Sequence, residues 1–277
     1  MNITDLAGTV TLNNGVEMPY IGLGVYLSKE GGEVETAVKA ALEAGYKHID
    51  TAAYYHNERG VGNAVAQSDV KREDIFVTSK VWNSDQGYDK TLKAFDTSLK
   101  KLQMDYLDLY LVHWPVPGKF TDTWKALEKL YHDGRVRAIG VSNFHEVHLS
   151  ELLHSAEVIP VIDQVEFHPY LVHQSLVDYC KSKGIQHEAW SPLMQGGVLD
   201  VMLLNEIGKK YGKSPVQVTL RWDLQRGTVC IPKSVHPERI VENAEIFDFE
   251  LTEEEMRAID ALDRNHRVGP DPENFDF

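Results

Sequence analysis

The sequence predicts an α/β fold, a closed (β/α)8 TIM barrel formed by a single domain over residues 1–277. Apolar strand candidates alternate along the chain with stretches whose apolar residues have helical spacing. The strands are mostly continuous apolar runs, as expected of parallel strands buried on both faces. Eight such repeats favour a closed barrel over an open doubly wound sheet. No Pro-rich or Ser-rich linker and no low-complexity tract divides the sequence.

The predicted elements follow one another in a regular order. The strands span 21–24, 47–50, 75–80, 107–113, 136–142, 161–166, 185–190 and 229–233. The helices span 33–44, 58–67, 89–102, 121–132, 148–154, 174–183, 201–211 and 252–262. Thr252 and Glu255 form a capping box at the start of the last helix. Ahead of the first strand, residues 9–20 alternate apolar and polar side chains around Asn13-Asn14-Gly15, which predicts a tight β-hairpin.

A dinucleotide-binding open sheet is the main alternative fold. It would place a GxGxxG motif after the first strand, where this chain has GLGVYLSKEGG. A partial match, Gly60-Val61-Gly62, lies in the helix after the second strand. We interpret these glycines as sites of close helix–strand packing.

Composition restricts the partners and the location. The formal net charge is −14, which argues against nucleic acid or an anionic membrane surface as the main partner. Cys180 and Cys230 lack CxxC spacing, so we predict neither a disulfide framework nor a zinc site. The start MNITDLAGTV has no charged and apolar leader regions, and no apolar run approaches the ~20 residues that span a bilayer. We expect a cytoplasmic protein without a membrane partner.

Four ionisable side chains lie at the ends of three successive strands. Asp50 ends the second strand, and Tyr55 follows in the loop, where Asn57 is placed to cap the next helix. Lys80 ends the third strand and His113 the fourth. Each group alone is explained by structure: a cap, a packed ring, a solvated strand end or a core histidine. Because parallel strand ends converge on one face of a barrel, their coincidence predicts a catalytic site.

These four groups suit the reduction of a carbonyl. Hydride arriving at the carbonyl carbon leaves charge on oxygen, which must be stabilised and protonated. We expect Lys80 to lower the pKa of the Tyr55 phenol, so that it can donate this proton, and Asp50 to keep Lys80 charged and oriented. A neutral His113 would donate a second hydrogen bond to the developing oxyanion.

Aromatic residues adjoin the same strand ends. Tyr26, Tyr54, Trp82 and Trp114 are expected to line a small apolar substrate pocket, together with His113. The structural alternative is that these rings pack only against loops at the barrel rim.

A phosphate site is predicted after the last strand. Lys233 and Arg239 flank Pro237, a residue favoured in the first turn of a helix. Two cations and free backbone N–H groups therefore converge at a helix start, which in an acidic chain indicates selection of a phosphorylated dinucleotide. An ordinary helix start with surface charges is the alternative.

At several positions the chain resembles the signature segments of the aldo-keto reductase family. They are GYKHIDTAAYYHNE at 45–58, TSKVWN at 78–83, LYLVHWP at 109–115, GVSNF at 140–144, DQVEFHP at 163–169 and IPKSVHPERIVEN at 231–243. The resemblance implies a barrel closed at its base by the N-terminal hairpin. It implies a tetrad of Asp50, Tyr55, Lys80 and His113, with Tyr55 as general acid. The chain is most similar to the bacterial branch that acts on methylglyoxal, other small aldehydes and diketo sugar acids.

The same resemblance implies NADPH as the cofactor. The cofactor-binding residues it implies are Ser142, Asn143 and Gln164 for the carboxamide, Ser191, Leu193 and Gln195 for the ribose and pyrophosphate, Lys233, Ser234 and Arg239 for the 2′-phosphate, Asn243 for the adenine, and Val235. Trp190 stands where many relatives stack a tyrosine on the nicotinamide ring, and an indole can stack equally well.

Two departures from the family affect the substrate pocket. The connection at 191–200 and the tail at 263–277 are short, so we expect an open pocket, with His266 on the surface. By analogy we expect a monomer that binds a small carbonyl substrate and needs no metal. One alternative is an NADPH-binding sensor or regulatory subunit with little turnover. The other is a metal-dependent hydrolase, which the lack of a His/Asp ligand set disfavours.

Overall fold

The computed structural model describes residues 3–277. Met1 and Asn2, the first two residues of MNITDLAGTV, lie outside the described residues. No helix within residues 3–277 has both the length and the apolar character needed to cross a membrane.

Two sheets make up the β structure. The N-terminal hairpin consists of β1 (Thr9–Thr11) and β2 (Glu17–Pro19), paired antiparallel. Eight parallel strands form the second sheet: β3 (Leu23–Gly24), β4 (His48–Asp50), β5 (Phe76–Val81), β6 (Leu107–Val112), β7 (Val136–Ser142), β8 (Ile162–Glu166), β9 (Gln186–Trp190) and β10 (Val229–Cys230). They lie side by side in chain order, from β3 to β10.

Hydrogen bonds between the two edges of this sheet close it. The Gly22 N–H donates to the Cys230 carbonyl at 2.9 Å, and the Gly24 N–H donates to the Pro232 carbonyl at 3.1 Å. Gly24 is thus bridged to Lys233 on one side and paired with Asp50 on the other. The predicted (β/α)8 barrel is confirmed.

The hairpin covers the base of the barrel. Val10 and Met18, which face each other across it, are buried in the core. In its turn, the Asn13 amide donates to the Pro160 and Gly184 carbonyls at 3.0 and 3.1 Å. Both carbonyls precede a strand, so the turn lies at the N-terminal ends of β8 and β9. The opposite face of the barrel therefore remains for a functional site.

Ten α-helices occur within residues 3–277. They are α1 (Gly32–Ala44), α2 (Glu58–Ala66), α3 (Tyr88–Leu102), α4 (Phe120–His132), α5 (Glu146–Leu153), α6 (Gln174–Ser182), α7 (Met202–Tyr211), α8 (Pro215–Gln225), α9 (Pro237–Ala244) and α10 (Glu253–Asp260). Each predicted helix is present with ends within two residues, and α9 begins at Pro237 as expected. Short 3₁₀ turns lie at Ala53–Tyr55, Arg72–Asp74, Asn83–Asp85 and Met194–Asp200.

The helix α8 was not predicted. Its apolar residues, from Val216 to Leu224, alternate strictly with polar ones, which is a strand pattern. The helix is buried around much of its circumference, including Gln217, Arg221 and Asp223, so burial does not impose helical spacing on the apolar positions. A complete capping box between Ser214 and Gln217 defines its start.

The glycines of α2 serve a packing role different from the one predicted. A side chain at Gly60 would lie 2.4 Å from Val34 of α1, and one at Gly62 would lie 2.2 Å from the Leu102 carbonyl at the end of α3. The prediction of helix–strand packing was wrong, because these glycines let α2 approach neighbouring helices.

Candidate active site

Lys80 is the centre of a hydrogen-bonded cluster at the C-terminal end of the strands. Its ammonium donates to Asp50 Oδ1 at 2.6 Å and to the Tyr55 hydroxyl at 3.3 Å. A third hydrogen bond goes to the Thr51 carbonyl at 3.1 Å, so each ammonium proton has a partner. Lys80 and Asp50 are fully buried. The structure therefore brings together three of the four residues predicted from the strand ends.

Burial and charge set the protonation of this cluster. Burial alone would lower the pKa of Lys80, but Asp50 and Tyr55 outweigh it and the net shift raises that pKa, so Lys80 is cationic. Burial also raises the pKa of Tyr55 to about 12, although Lys80 opposes the rise. The expected lowering of the Tyr55 pKa was wrong, since loss of hydration outweighs one neighbouring cation. Tyr55 consequently keeps its proton at neutral pH.

His113 follows β6 and completes the group. Its ring lies 5.7 Å from the ring of Tyr55, edge to face. Burial, aided by Lys80, holds the pKa of His113 well below its ordinary value, so the imidazole is neutral as expected. Its Nδ1 is buried without a hydrogen-bond partner within the described residues.

The loop that carries Tyr55 is fixed by Asn57. The Asn57 amide donates to the Val25 and Ser28 carbonyls at 2.8 and 3.0 Å, and its oxygen accepts from the Thr51 hydroxyl at 2.8 Å. Asn57 precedes α2 but makes no side-chain capping bond. Its prediction as a cap was therefore wrong, since the side chain joins two barrel loops.

Gln164 contacts the cluster from across the barrel. Its amide nitrogen donates to Asp50 Oδ2 at 2.8 Å and to Glu188 Oε2 at 2.8 Å. Its backbone carbonyl accepts from the Ser142 hydroxyl at 2.8 Å and from the Asn143 N–H at 2.9 Å. Three residues that the family resemblance implies as carboxamide ligands thus lie next to one another.

Trp190 lies at the end of β9 and contacts both Asn143 and the tail. Its indole N–H donates to Asn143 Oδ1 at 2.9 Å, and the Asn143 amide donates to the His113 carbonyl at 2.9 Å. A side chain at Gly269 would come within 2.4 Å of the indole ring. The indole ring is thus held between Asn143 and Gly269. Only glycine fits at position 269, because the backbone comes so close to the ring.

The aromatic residues predicted for the substrate pocket lie at the mouth. Tyr54 stacks on Trp82 with centroids 3.8 Å apart, and Trp82 meets His113 edge to face at 5.1 Å. Tyr26 lies on the other side, with its ring 5.0 Å from that of Tyr55. Trp114 is buried next to them.

The C-terminal tail packs on one side of this mouth, at Trp82 and Trp114, a contact that its short length did not predict. The Phe277 ring is parallel to Trp82 at 5.9 Å and meets Trp114 edge to face at 5.1 Å. Phe275 also packs on Trp114, at 5.1 Å. The Asn83 amide donates to the Phe277 carbonyl at 3.1 Å. The length of the tail predicted exposure, but its two terminal aromatic residues give it an apolar face that packs on the rim.

Polar contacts attach the tail to the barrel. Glu166, fully buried at the end of β8, accepts from the Val268 N–H at 2.5 Å and from the Gly269 N–H at 3.2 Å. Arg267 donates to His145 Nε2 at 3.0 Å and to His173 Nε2 at 2.8 Å. His266 is exposed, as predicted.

The predicted phosphate ligands lie at the start of α9. Lys233 and Arg239 are exposed, and neither makes an ion pair within residues 3–277. Ser234 and Asn243 are buried, and Val235 is partly buried. Because Lys233 is bridged to Gly24, which pairs with Asp50, this helix start lies on the same rim as the cluster around Lys80.

The connection after β9 has an unusual backbone. Ser191, Met194 and Gln195 have φ values of 50°, 50° and 54°, in the left-handed region. Non-glycine residues rarely adopt this conformation, and it concentrates at functional loops. The Gln195 amide donates to the Val268 carbonyl at 3.3 Å, and Leu193 is partly buried.

A separate cavity of about 440 Å³ lies behind the mouth. Tyr54 and Trp82 form part of its wall, as do Lys90, Lys93 and Lys101 of α3. None of the four tetrad side chains lines it. The cavity and the cluster are therefore distinct sites that share an aromatic wall.

Sequence reasoning missed four residues that contribute to the site. The Thr51 carbonyl carries no side-chain signal. Glu188 lies in β9, two residues before Trp190, and the alternation of the strand could have identified it as facing the same side as Trp190. Phe275 and Phe277 were visible as aromatic residues in a polar tail.

The fold and the buried polar cluster are those of a barrel enzyme with its chemistry at the C-terminal strand ends. Residues 21–264 match the model of the Aldo/keto reductase family. The chain therefore belongs to this family and is an oxidoreductase.

Similar proteins support this assignment over nearly the full length. The chain is 60% identical to a glyoxal reductase of Bacillus subtilis (strain 168), over 99% of both chains. It is 46% identical to the methylglyoxal reductase DkgA of Escherichia coli (strain K12), over 96% of this chain and 97% of the relative. The solved structure of a Gox0644 mutant in complex with NADPH has a TM-score of 0.92 and 42% identity, and the match covers 97% of this chain and 98% of that chain.

Proposed function

We propose that this protein reduces the carbonyl group of small aldehydes, ketones and dicarbonyls, including methylglyoxal-like compounds, aromatic aldehydes and diketo sugar acids, to alcohols with hydride from NADPH, and that Tyr55 is the general acid. The observation that carries the proposal is the contact of one buried ammonium, Lys80, with both Asp50 and the Tyr55 hydroxyl, next to a neutral His113. The relatives named as glyoxal and methylglyoxal reductases support the class of substrate.

The residues present fit NADPH. Two exposed cations without ion-pair partners in the described residues, Lys233 and Arg239, flank the first turn of α9, where free N–H groups and the helix dipole favour an anion. Ser142, Asn143 and Gln164 are joined by hydrogen bonds and would hold the carboxamide, with Trp190 against the ring. The remaining ligands in the proposal are Ser191, Leu193, Gln195, Ser234, Val235 and Asn243.

The chain's own residues provide the proton and stabilise the charge. The bound cofactor would supply the hydride. Tyr55 donates its hydroxyl proton to the carbonyl oxygen as negative charge develops there. Lys80 stabilises the resulting phenolate at the Tyr55 oxygen, and Asp50 keeps Lys80 oriented through the hydrogen bond at 2.6 Å. The neutral His113 donates an N–H toward the carbonyl oxygen of the substrate. Because His113 is buried, that hydrogen bond is stronger than it would be in water.

The aromatic rim suits small substrates. Tyr26, Tyr54, Trp82 and Trp114 offer apolar surface, and Phe277 covers part of it. A dicarbonyl or a flat aromatic aldehyde fits such a wall better than a bulky polar molecule.

The test is the oxidation of reduced nicotinamide, followed by its absorbance, with purified protein. NADPH and NADH are compared against methylglyoxal, glyoxal and an aromatic aldehyde. We expect turnover of these carbonyls with a preference for NADPH. Tight NADPH binding without turnover on any carbonyl would contradict the proposal.

A further inference from the structure

Glu188 is a buried carboxyl group directly beneath the cluster that the proposed mechanism uses. It lies in β9, fully buried, opposite Gln164 of β8 in the parallel register. Its Oε2 accepts from Gln164 Nε2 at 2.8 Å, and the same nitrogen donates to Asp50 Oδ2 at 2.8 Å. One amide group therefore connects the tetrad to a second carboxyl that the mechanism does not require.

The amide orientation of Gln164 follows from these contacts. An amide nitrogen carries two donors, whereas the amide oxygen only accepts. Asp50, as a carboxylate, only accepts, so the nitrogen faces Asp50 Oδ2 and its second N–H reaches Glu188 Oε2. Removal of Glu188 would leave that second N–H without its acceptor. No hydrogen bond within the described residues uses Gln164 Oε1, which remains available to a ligand.

The charge balance of the barrel interior assigns a proton to Glu188. Asp50 and Glu188 share one nitrogen, so their bonded oxygens lie roughly 5 Å apart. The Lys80 ammonium donates to Asp50 and makes no hydrogen bond to Glu188. Two buried carboxylates against one cation would leave a net negative charge in the interior, which is strongly unfavourable. The carboxyl without the cation is the one that holds the proton.

His48 lies on the other side of Glu188. His48 Nδ1 faces Glu188 Oε1 at 4.0 Å, and neither atom has a hydrogen-bond partner within the described residues. Burial, with Lys80, lowers the pKa of His48 to about 3, so this imidazole is neutral and has one N–H. If that N–H is on Nε2, which contacts the Thr78 hydroxyl at 3.1 Å, Nδ1 is an acceptor. An acceptor facing Oε1 is compatible with a protonated carboxyl and repels a carboxylate.

We propose that Glu188 is a positioning residue, neutral at physiological pH, that orients the Gln164 amide toward Asp50 and keeps the Gln164 carbonyl oxygen free for the nicotinamide carboxamide. This inference rests on the proposed function and adds to it a residue that touches neither substrate nor cofactor. Glu188 acts through Gln164 on the cofactor and, through Asp50, on Lys80.

The titration of Glu188 gives the proposal a pH dependence. Burial, together with Asp50, raises the pKa of Glu188 to about 8, while Gln164 and Lys80 oppose the rise. The titratable groups that face it are Asp50 and His48 from β4, Lys80 from β5 and Cys230 from β10. Above this pKa a second negative charge lies beneath a site where the substrate oxygen becomes negative, so reduction slows. Tyr55 has its pKa at about 12 and contributes no break in this range.

The experiment compares wild type with Glu188→Ala, Glu188→Gln and Asp223→Asn. Asp223 is the matched control, because it is likewise a fully buried carboxyl, but it lies in α8 and neither of its carboxyl oxygens makes a hydrogen bond within residues 3–277. The measurements are NADPH affinity by tryptophan quenching, and kcat and KM for methylglyoxal, from about pH 6 to about pH 9.5. Melting temperatures over the same range follow folding.

We expect Glu188→Ala to weaken NADPH about tenfold and to lower kcat about tenfold, with KM for methylglyoxal changed less than about twofold. In Glu188→Gln, NADPH affinity and kcat at low pH should be within about threefold of wild type. The kcat/KM of wild type should decline as pH rises through about 8, and the kcat/KM of Glu188→Gln should not. Asp223→Asn should keep the wild-type pH profile.

Melting temperature supplies a readout that needs no cofactor. Because the folded pKa of Glu188 lies above its unfolded value of 4.5, its contribution to stability is complete below that value and is lost as pH rises through about 8. The Glu188→Gln protein has no such loss, so its melting temperature should rise relative to wild type as pH increases.

Three results would overturn the inference. They are a folded Glu188→Ala protein with wild-type kcat and NADPH affinity, an unchanged decline with pH in Glu188→Gln, and the same change of activity profile in Asp223→Asn. If wild type reduced no carbonyl, the proposed function would fail, whereas the NADPH affinities and melting temperatures would still decide the role of Glu188.

Discussion

The candidate site has two charged regions: a floor, formed by Lys80, Asp50 and Tyr55, and a rim at the start of α9. The two regions hold their charges in opposite ways. In the floor, the buried Lys80 ammonium has an acceptor for every proton. At the rim, Lys233 and Arg239 are exposed and make no ion pair within residues 3–277. Both regions carry cations on the same face of the barrel, but only the floor is already satisfied by protein groups.

This difference suggests that the floor carries out the chemistry and the rim binds the cofactor. A charge removed from water needs partners before any ligand arrives, because an unpaired buried ion costs several kcal/mol. An exposed cation stays hydrated and can exchange water for a phosphate oxygen when one binds. Substitutions in the floor should therefore affect turnover and folding, and substitutions at the rim should affect affinity alone.

The largest effect is expected when Lys80 is removed. Lys80→Met leaves Asp50 buried without its cation, which should lower the free energy of unfolding by about 3–5 kcal/mol and abolish turnover. Urea denaturation measures the first and NADPH oxidation the second. Lys39→Met is the control, since Lys39 is a surface lysine whose only ion pair within residues 3–277, to Glu43, is exposed. Equal stability losses in both variants would show that the floor is not the pre-paired region we describe.

Removal of the Tyr55 hydroxyl tests the floor without disturbing its charges. Tyr55→Phe should lower kcat/KM about 1000-fold, because the carbonyl oxygen loses its proton donor. NADPH affinity should be unchanged, as measured by tryptophan quenching. The fold should also persist, since Lys80 keeps its bonds to Asp50 and Thr51. A variant that retained wild-type turnover would remove Tyr55 from the role of general acid.

The rim is tested by the choice between cofactors. Arg239→Ala should weaken NADPH by about 10- to 100-fold and leave NADH almost unchanged, since only NADPH offers a 2′-phosphate for a charge-assisted hydrogen bond. Affinities for both nucleotides come from fluorescence titration. The matched control is Arg257→Ala. Arg257 is an exposed arginine of α10 that pairs with Glu253. Equal losses for the two nucleotides would contradict the phosphate assignment.

The sequence predicted the regular parts of the molecule because one physical rule governs them. Buried parallel strands read as apolar runs, so all eight strands were identified, and the convergence of their ends brought Asp50 and Lys80 together. The helix α8 was not predicted from periodicity, because it is buried on several sides and its apolar residues therefore lack helical spacing. Its capping box was a local signal that periodicity alone does not include.

Features that depend on packing between distant parts of the chain could not be predicted from the sequence pattern. The Tyr55 pKa depends on the burial of the phenol, which no sequence neighbour reveals. Asn57 looked like a cap because its local context is that of a helix start, yet its amide bonds are made to Val25 and Ser28. The position of Phe277 follows from contacts with Trp82, almost 200 residues away in the chain.

The tail belongs to neither the floor around Lys80 nor the rim at α9, and a change in it should have the smallest effect. Phe277→Ala takes away the ring that stacks on Trp82 and meets Trp114, and it leaves every hydrogen bond of Lys80 intact. KM for an aromatic aldehyde should change about threefold, as expected when part of an apolar wall is lost, whereas NADPH affinity and turnover of glyoxal should stay close to wild type. Steady-state kinetics with both carbonyls measure this, and Tyr88→Ala, a half-exposed aromatic residue at the start of α3, is the control. A loss of NADPH affinity in Phe277→Ala would mean that the tail contributes to cofactor binding. The tail would then act together with the floor and the rim, and the contact of Gly269 with Trp190 would be the place where it does so.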